Sequence, residues 1–480
     1  MKRLLSVVLF CTLLLSGLSA HPWKPSNYVI IDVDGGVDDM RALSLMLASH
    51  DVRVLAVIAS PGSLSAENAY IKVKSYLNAC HHEGIPVGIN RDVNYKSPNY
   101  PIALEYQWGD EQGIDPSIAP PFYEVVKKMI SAESTPIRFI SLGGLSSAYY
   151  ILKNEPLVET QVKEFVWSSD GAYEKNALNY NIDKVAADYM LKQTDKPLSV
   201  VVGKSGISNN FYDGAIISSL DNSETIYAKK IASFLKTTPK EHAFSFTAYD
   251  EMVPVFLHYP ELFTKRVING NTEYTPNNRG LINERFITII NGHTIEENQV
   301  FADIPTDPSF YMEDIQPYVT DIIEKYGHEE WTSGVLASEL HRHLGVFAII
   351  GVKMGIRARE YFNTGVDEFT ALSYAGSTPP LSCMNDGVQV STGATPGHGL
   401  LTVKQEGPFA AQVDFTYLNT TIRVSLLPDI QQKIQDELKE INFIYGLDSN
   451  IYWELVRKNT LKYWQQFDRH EIFNIEVLSE

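Results

Sequence analysis

Four aspartates crowd into eight positions of the stretch "VIIDVDGGVDDMRAL" (29–43): Asp32, Asp34, Asp38 and Asp39. Carboxylates this close repel one another, so their gathering at the end of an apolar run calls for a counter-charge. A helix N-terminus favours an anion by only about 0.3–1 kcal/mol per group. A helix-capping Asp38 with its neighbours in water accounts for one of the four. A hard divalent cation, which takes carboxylate and carbonyl oxygens as ligands, accounts for the cluster.

The elements around the cluster are those that would aim it. "YVIIDVD" is a mostly apolar run, as in a strand buried on both faces. Gly35-Gly36 supply a tight turn, and "DDMRALSLMLAS" continues as a helix. "VRVLAVIAS", "IRFISL", "EFVWSS" and "LSVVVG" read as further strands, separated by amphipathic segments such as "SAENAYIKVKSYLNAC". Strand–helix alternation from 28 to about 325 predicts an α/β fold, a largely parallel sheet with helices on both faces. In such sheets ligands sit beyond the carboxyl ends of the strands, where Asp34 ends the first one. A smaller α+β domain is expected from about 330 to 480.

Bulk properties exclude other classes. The formal net charge is -18, with no basic run after the N-terminus, which argues against nucleic acid or an anionic membrane as partner. Residues 1–20 read as a signal peptide: Lys2 and Arg3, an apolar core, and a small-residue cleavage site at Ser19-Ala20. The expectation is an exported protein, periplasmic or secreted, with no membrane span after processing. Bulky Leu9-Phe10 before Cys11 argue against a lipoprotein signal. Cys80 and Cys383 then remain, too few for a disulfide scaffold, with one bridge left open. The roughly 460 residues left are too many for one ordinary core, so two domains are expected. Oligomeric state stays open, a homo-oligomer included.

Two enzyme families carry aspartates at such a strand end. "DVDGG" resembles the Asp-x-Asp-Gly of haloacid-dehalogenase phosphatases, whose later motifs find no match in order. "DVDGGVDDMRAL" resembles the Asp-x-Asp-Pro-Gly-x-Asp-Asp of the inosine–uridine preferring nucleoside hydrolases, with Gly35 in place of Pro. "FISLGGLSSAYYILKNEPLV", "LNYNIDKVAADYML" and "YDEMVPVFLHYPELF" resemble that family's later segments in order, across about residues 27–327.

The resemblance implies Ca2+ held by Asp34, Asp39, Asp250 and the main-chain carbonyl of Leu142. It implies Asp38 as general base for water attacking the anomeric carbon of a nucleoside or related riboside. Asp32 would stand behind them and orient the loop. The substrate pocket departs from the family pattern. Ser63 replaces an Asn that usually contacts the sugar, and Ala177 replaces a Glu, while Asn179 keeps its position. Tyr249 stands where many members have His, and with an ordinary pKa of about 10 it is a weaker acid for the leaving base. Glu174 and Asn176 are stand-in candidates. The competing reading is a non-catalytic or altered-specificity ligand-binding protein that retains the calcium site.

Near the C-terminus, "LHRHLGVFAIIGVKMGIRAREYF" and "PPLSCMNDGVQVSTGATPGHGLL" resemble the E-like family of formylmethanofuran dehydrogenase proteins. His341, His343, Cys383 and Asp386 form a candidate second site for Zn2+ or another transition metal. Packed or solvated side chains are the alternative for each. His341 and His343, two apart, cannot share one helix face and should lie on an extended turn. Two amphipathic helices, "IQDELKEINFIYG" and "IYWELVRKNTLKYWQQF", are expected to pack on this domain or a neighbour.

Overall fold

In the computed structural model, which describes residues 25–193, 195–292 and 303–479, strand β1 (Asn27–Val33) is buried at every position. Side chains alternate across a strand. Val29, Ile31 and Val33 join one apolar cluster, while Tyr28 and Ile30 join the cluster on the other face. That double burial is why the run is continuously apolar. Beside it lie β2 (Val52–Ala59) and β3 (Val87–Ile89) on one side. On the other side lie β4 (Ile137–Ser141), β5 (Val162–Ser169) and β6 (Leu198–Val202). These six pair in parallel in the order β3-β2-β1-β4-β5-β6.

The sheet has an extension that the strand–helix alternation did not announce. The hairpin β7 (Phe263–Ile268) and β8 (Asn271–Pro276) adds β8 parallel to β6 and leaves β7 antiparallel at the edge. Polar residues and an exposed outer strand hid it from hydrophobic patterning. Helix α1 (Val37–Ala48) follows β1 directly and is buried along almost its whole length.

A second, five-stranded sheet runs β10 (Leu401–Val403), β9 (Thr370–Ser373), β11 (Gln412–Tyr417), β12 (Thr420–Leu426) and β13 (Phe473–Ser479). Only β9 and β10 pair in parallel. The two expected amphipathic helices form, as Pro428–Tyr445 and Asn450–Gln466. The helix Gln316–Tyr326, assigned from sequence to the first domain, instead shares an apolar cluster with Trp331, Leu461 and Trp464. Cys80 and Cys383 are both free thiols. No helix among the described residues is long and apolar enough to cross a membrane. The signal-peptide segment, residues 1–20 with Cys11, lies outside the described residues.

Polar contacts join the two sheets' surroundings. Arg53 of β2 pairs with Glu368, and Arg357 pairs with Glu83 at 2.9 Å. His82, buried, contacts the Glu360 carbonyl through Nδ1 at 2.7 Å and the Tyr227 hydroxyl through Nε2 at 2.6 Å. The carbonyl can only accept, so Nδ1 carries the proton and the ring is neutral. Burial pushes His82 down from 6.5 to about 4. The folded state therefore resists a proton that the unfolded chain accepts. The stability this neutral ring contributes is whole above pH 6.5. It is lost as pH falls through about 4, by roughly 3 kcal/mol. Urea unfolding across that window should show a His82→Gln slope of stability against pH shallower than the parent's by about 1.4 kcal/mol per pH unit. Parallel slopes would place the titration elsewhere.

Candidate active site

The carboxyl ends of β1, β2, β4 and β5 and the loop before the helix Met252–His258 converge on the aspartate cluster. Asp34 follows β1, and Gly35, at φ 80°, turns the chain into α1. The helix starts at Val37 behind Gly36, and no side chain caps it. Asp38 is thus not a cap. Asp39 turns back instead, its Oδ1 accepting from the Asp34 backbone N–H at 2.8 Å.

Absent side chains make room for the carboxylates. A Cβ on Gly36 would lie 2.7 Å from both Asp38 Oδ1 and Asp39 Oδ2, and one on Gly62 would lie 2.1 Å from Asp34 Oδ2. Gly143 leaves similar clearance on the other side of Asp34, 3.0 Å from Oδ2. Asp250 comes from the turn before the helix Met252–His258, and the Ser168 hydroxyl at the end of β5 donates to its Oδ1 at 2.6 Å.

Carboxylate oxygens of Asp38, Asp39 and Asp250 lie within 4.8 Å of one another. Asp34 is not in that set. It accepts from the Gly36 N–H at 3.3 Å, and burial raises its proton affinity against the pull of the Ser63 hydroxyl. Leu142 is in place behind the turn, and its carbonyl accepts from Asn179 Nδ2 at 2.6 Å. The same amide donates to the Ser168 carbonyl at 2.9 Å. Ser63 and Asn179, assigned from sequence to the substrate, therefore also brace the cluster. Asp32 is 1 % exposed, and among the described residues neither of its oxygens has a partner in hydrogen-bonding geometry. Burial pushes it up to about 7, against the pull of the Ser60 and Ser147 hydroxyls.

Electrostatics expresses the crowding. Burial and then Glu251 push Asp38, the part-exposed member, up to about 7. Asp39 is raised well above the carboxylate range by burial and by Asp34, and Asp250 by burial and by Asp38. Arg41 lowers Asp38, but its charge is matched by Glu251 at 2.6 Å. The surplus is negative and its donors are oxygens, a set that fits a hard divalent ion. Tyr249 lies half-buried beside this charge, raised by burial and by Asp38, with its ring stacked on Phe244 at 5.1 Å.

The C-terminal set does not assemble as expected. Among the described residues, only Asp38, Asp39 and Asp250 come together as candidate metal ligands. Asp386 is engaged by His341, Nδ1 to Oδ2 at 2.7 Å, so its carboxylate is spent on the imidazole. Cys383 is held in its thiol form, pushed up to about 11 by burial and by Asp386. His341 is the last residue of the helix His328–His341, and His343 lies in the turn after it. Their rings are 4.3 Å apart.

These features define a mixed α/β protein with an acidic, cation-demanding site at its strand ends. Residues 29–302, more than half of the chain, match the inosine-uridine preferring nucleoside hydrolases, and the chain belongs to that family. Residues 340–444 match the family described as FmdE, molybdenum formylmethanofuran dehydrogenase operon. The pyrimidine-specific ribonucleoside hydrolase RihA of Salmonella dublin is 28% identical over 151 residues, or 29% of this chain and 46% of that protein. The chain thus spans about half the length of the curated relatives it matches. A plant nucleoside hydrolase structure aligns with TM-score 0.44 and 17% identity, covering 56% of this chain and 99% of that one. For an inosine-uridine preferring nucleoside hydrolase from Bacillus anthracis the values are 0.42, 14%, 55% and 99%.

Asp250→Asn removes one charge from the crowd. In chelator the variant should melt about 2–4 °C above the parent. Calcium should then raise the parent's Tm and leave the variant's unmoved. Equal calcium shifts in a thermal melt would remove Asp250 from the site.

Proposed function

We propose that this protein hydrolyses the N-glycosidic bond of nucleosides or related ribosides. The observation that carries the reading is the buried carboxylate set at the strand ends of a nucleoside hydrolase family member. Asp34, Asp39, Asp250 and the Leu142 carbonyl are the groups that would hold Ca2+. When bound, the ion supplies a lowered pKa for the attacking water and a grip on the ribose diol. Asp38, part-exposed and raised toward neutrality, takes the water's proton on a carboxylate oxygen. Ser168 and Asn179 fix Asp250 and the Leu142 carbonyl. Tyr249, stacked on Phe244, is the group that would face the leaving base. A tyrosine raised above its ordinary pKa is a weak proton donor, so the pocket favours leaving groups that need little acid assistance.

One observation favours an exchange of roles: Asp38 rather than Asp34 shares the 4.8 Å set with Asp39 and Asp250. In that arrangement Asp38 is a ligand and Asp34 is the base. Reducing-sugar release from a panel of nucleosides tests both. Asp38→Asn should lower turnover by roughly 10²–10⁴-fold while calcium binding survives. Parent-like turnover would sink Asp38 as the base. Calcium lost from Asp38→Asn but kept by Asp34→Asn would establish the exchange. A parent that binds calcium and cleaves nothing would be a ligand-binding protein.

The wider organisation is part of the same proposal. The chain is exported through its N-terminal signal, acts on a small molecule without nucleic acid or membrane, and carries a hydrolase-like domain followed by an α+β one. Because the helix Gln316–Tyr326 and, before it, Ile304 and Tyr311 pack with the C-terminal helices, these residues go with the second domain. Within the second domain the metal proposal narrows to zinc on His341 and His343. A Cβ on Gly345 would lie 3.1 and 3.5 Å from their Nε2 atoms, so both nitrogens face one small space. Asp386 fixes the other nitrogen of His341, as carboxylates often do behind metal-binding imidazoles. With calcium in excess, His343→Ala should cost the full-length protein one equivalent of zinc. Equal zinc in both rejects the site.

A further inference from the structure

We infer that Arg41 and Glu251 are positioning residues that clamp the Tyr249–Asp250 segment against the Asp38–Asp39 turn. This rests on the reading that these carboxylates hold a cation. Asp39 is fixed by α1, whose hydrogen-bond ladder sets its place. Tyr249 and Asp250 are tied by backbone bonds only to their own side, Met252 N–H to the Tyr249 carbonyl at 3.2 Å and Val253 N–H to the Asp250 carbonyl at 2.9 Å, at the start of the helix Met252–His258. Something must set the register of that segment against α1.

Arg41 stands one turn along α1 from Asp38, and its planar guanidinium reaches three points of the segment at once. Nη1 donates to the Ser245 carbonyl at 2.6 Å and Nη2 to the Thr247 carbonyl at 2.9 Å. Nε lies 2.6 Å from Glu251 Oε1, beside Asp250 in sequence. Neither charged side chain has any exposure. The Tyr212 ring lies 4.6 Å from the guanidinium, and its hydroxyl donates to Glu251 Oε1 at 2.6 Å.

A buried ion pair is an inefficient way to add stability, since apolar side chains of like volume often do as well. What a rigid fork on two carbonyls and a carboxylate adds is a single geometry. That geometry places Asp250 within coordinating reach of Asp39. Because Glu251 cancels Arg41, the clamp leaves the cluster's need for a cation intact.

The test uses the full-length protein. Arg41→Met/Glu251→Leu removes both buried charges, and Tyr212→Phe loosens Glu251 while leaving the pair in place. Calcium affinity is measured by titration below the melting temperature, with amide exchange across 245–251 and nucleoside turnover alongside. The double variant should bind calcium about 10–100-fold more weakly, as loss of groups behind metal ligands commonly does. Exchange in 245–251 should quicken, and Tyr212→Phe should move both in the same direction by less. A merely structural pair would shift the melting temperature alone, so folded variants with parent affinity and parent exchange overturn the clamp. Should the double variant not fold, Tyr212→Phe decides by the same two readings. A parent without calcium affinity overturns the cation reading itself, and the clamp with it.

Discussion

Water is scarce where the aspartates meet, and that constraint orders the rest of the site. Carboxylates in bulk solvent repel weakly; at the end of a strand buried on both faces the same repulsion is far less screened. Burial is accordingly the first cause of the raised proton affinity of Asp38, Asp39 and Asp250, with the neighbouring acids second. A fold that kept these side chains together for packing alone would have used apolar residues. The oxygen donors gathered here are of the kind that suits a hard cation.

The surroundings are built to tolerate that charge without neutralising it. Gly36, Gly62 and Gly143 leave the space that the carboxylates occupy. Ser168 and Asn179 direct hydrogen bonds at Asp250 and at the Leu142 carbonyl. The nearby Arg41 guanidinium is matched by Glu251 and donates to two backbone carbonyls. Structure and negative charge are thereby separated: the ion pair holds the loop, and the acids stay available.

The second sheet is not an appendage loosely tethered to the first. Arg53 with Glu368, Arg357 with Glu83, and His82 on the Glu360 carbonyl lock polar groups of one into the other. Removing a single partner from such contacts strands a buried polar group, which costs more than the contact adds.

Much of the N-terminal half was legible in the chain itself. β1, β2 and β6 are mostly apolar runs because both their faces are covered, β4 and β5 carry charge only near their starts, and the turn "DGG" marks where the first one ends. Asp34, Asp38 and Asp39 could be singled out because acids crowded at a strand end have no packing role, and Asp250 through the resemblance of "YDEMVPVFLHYPELF" to a family segment. Other features were not legible. The β7–β8 hairpin is polar and lies at the sheet edge, so no hydrophobic period announces it. Nothing local in the sequence says that Arg41 and Glu251 meet at zero exposure. Asp386 read as a metal ligand, although its carboxylate is taken by His341. Local sequence sets which faces are apolar and which turns can form, since those depend on neighbours a few residues away. Which distant side chains share a buried space depends on how the elements pack, and only the tertiary structure decides that.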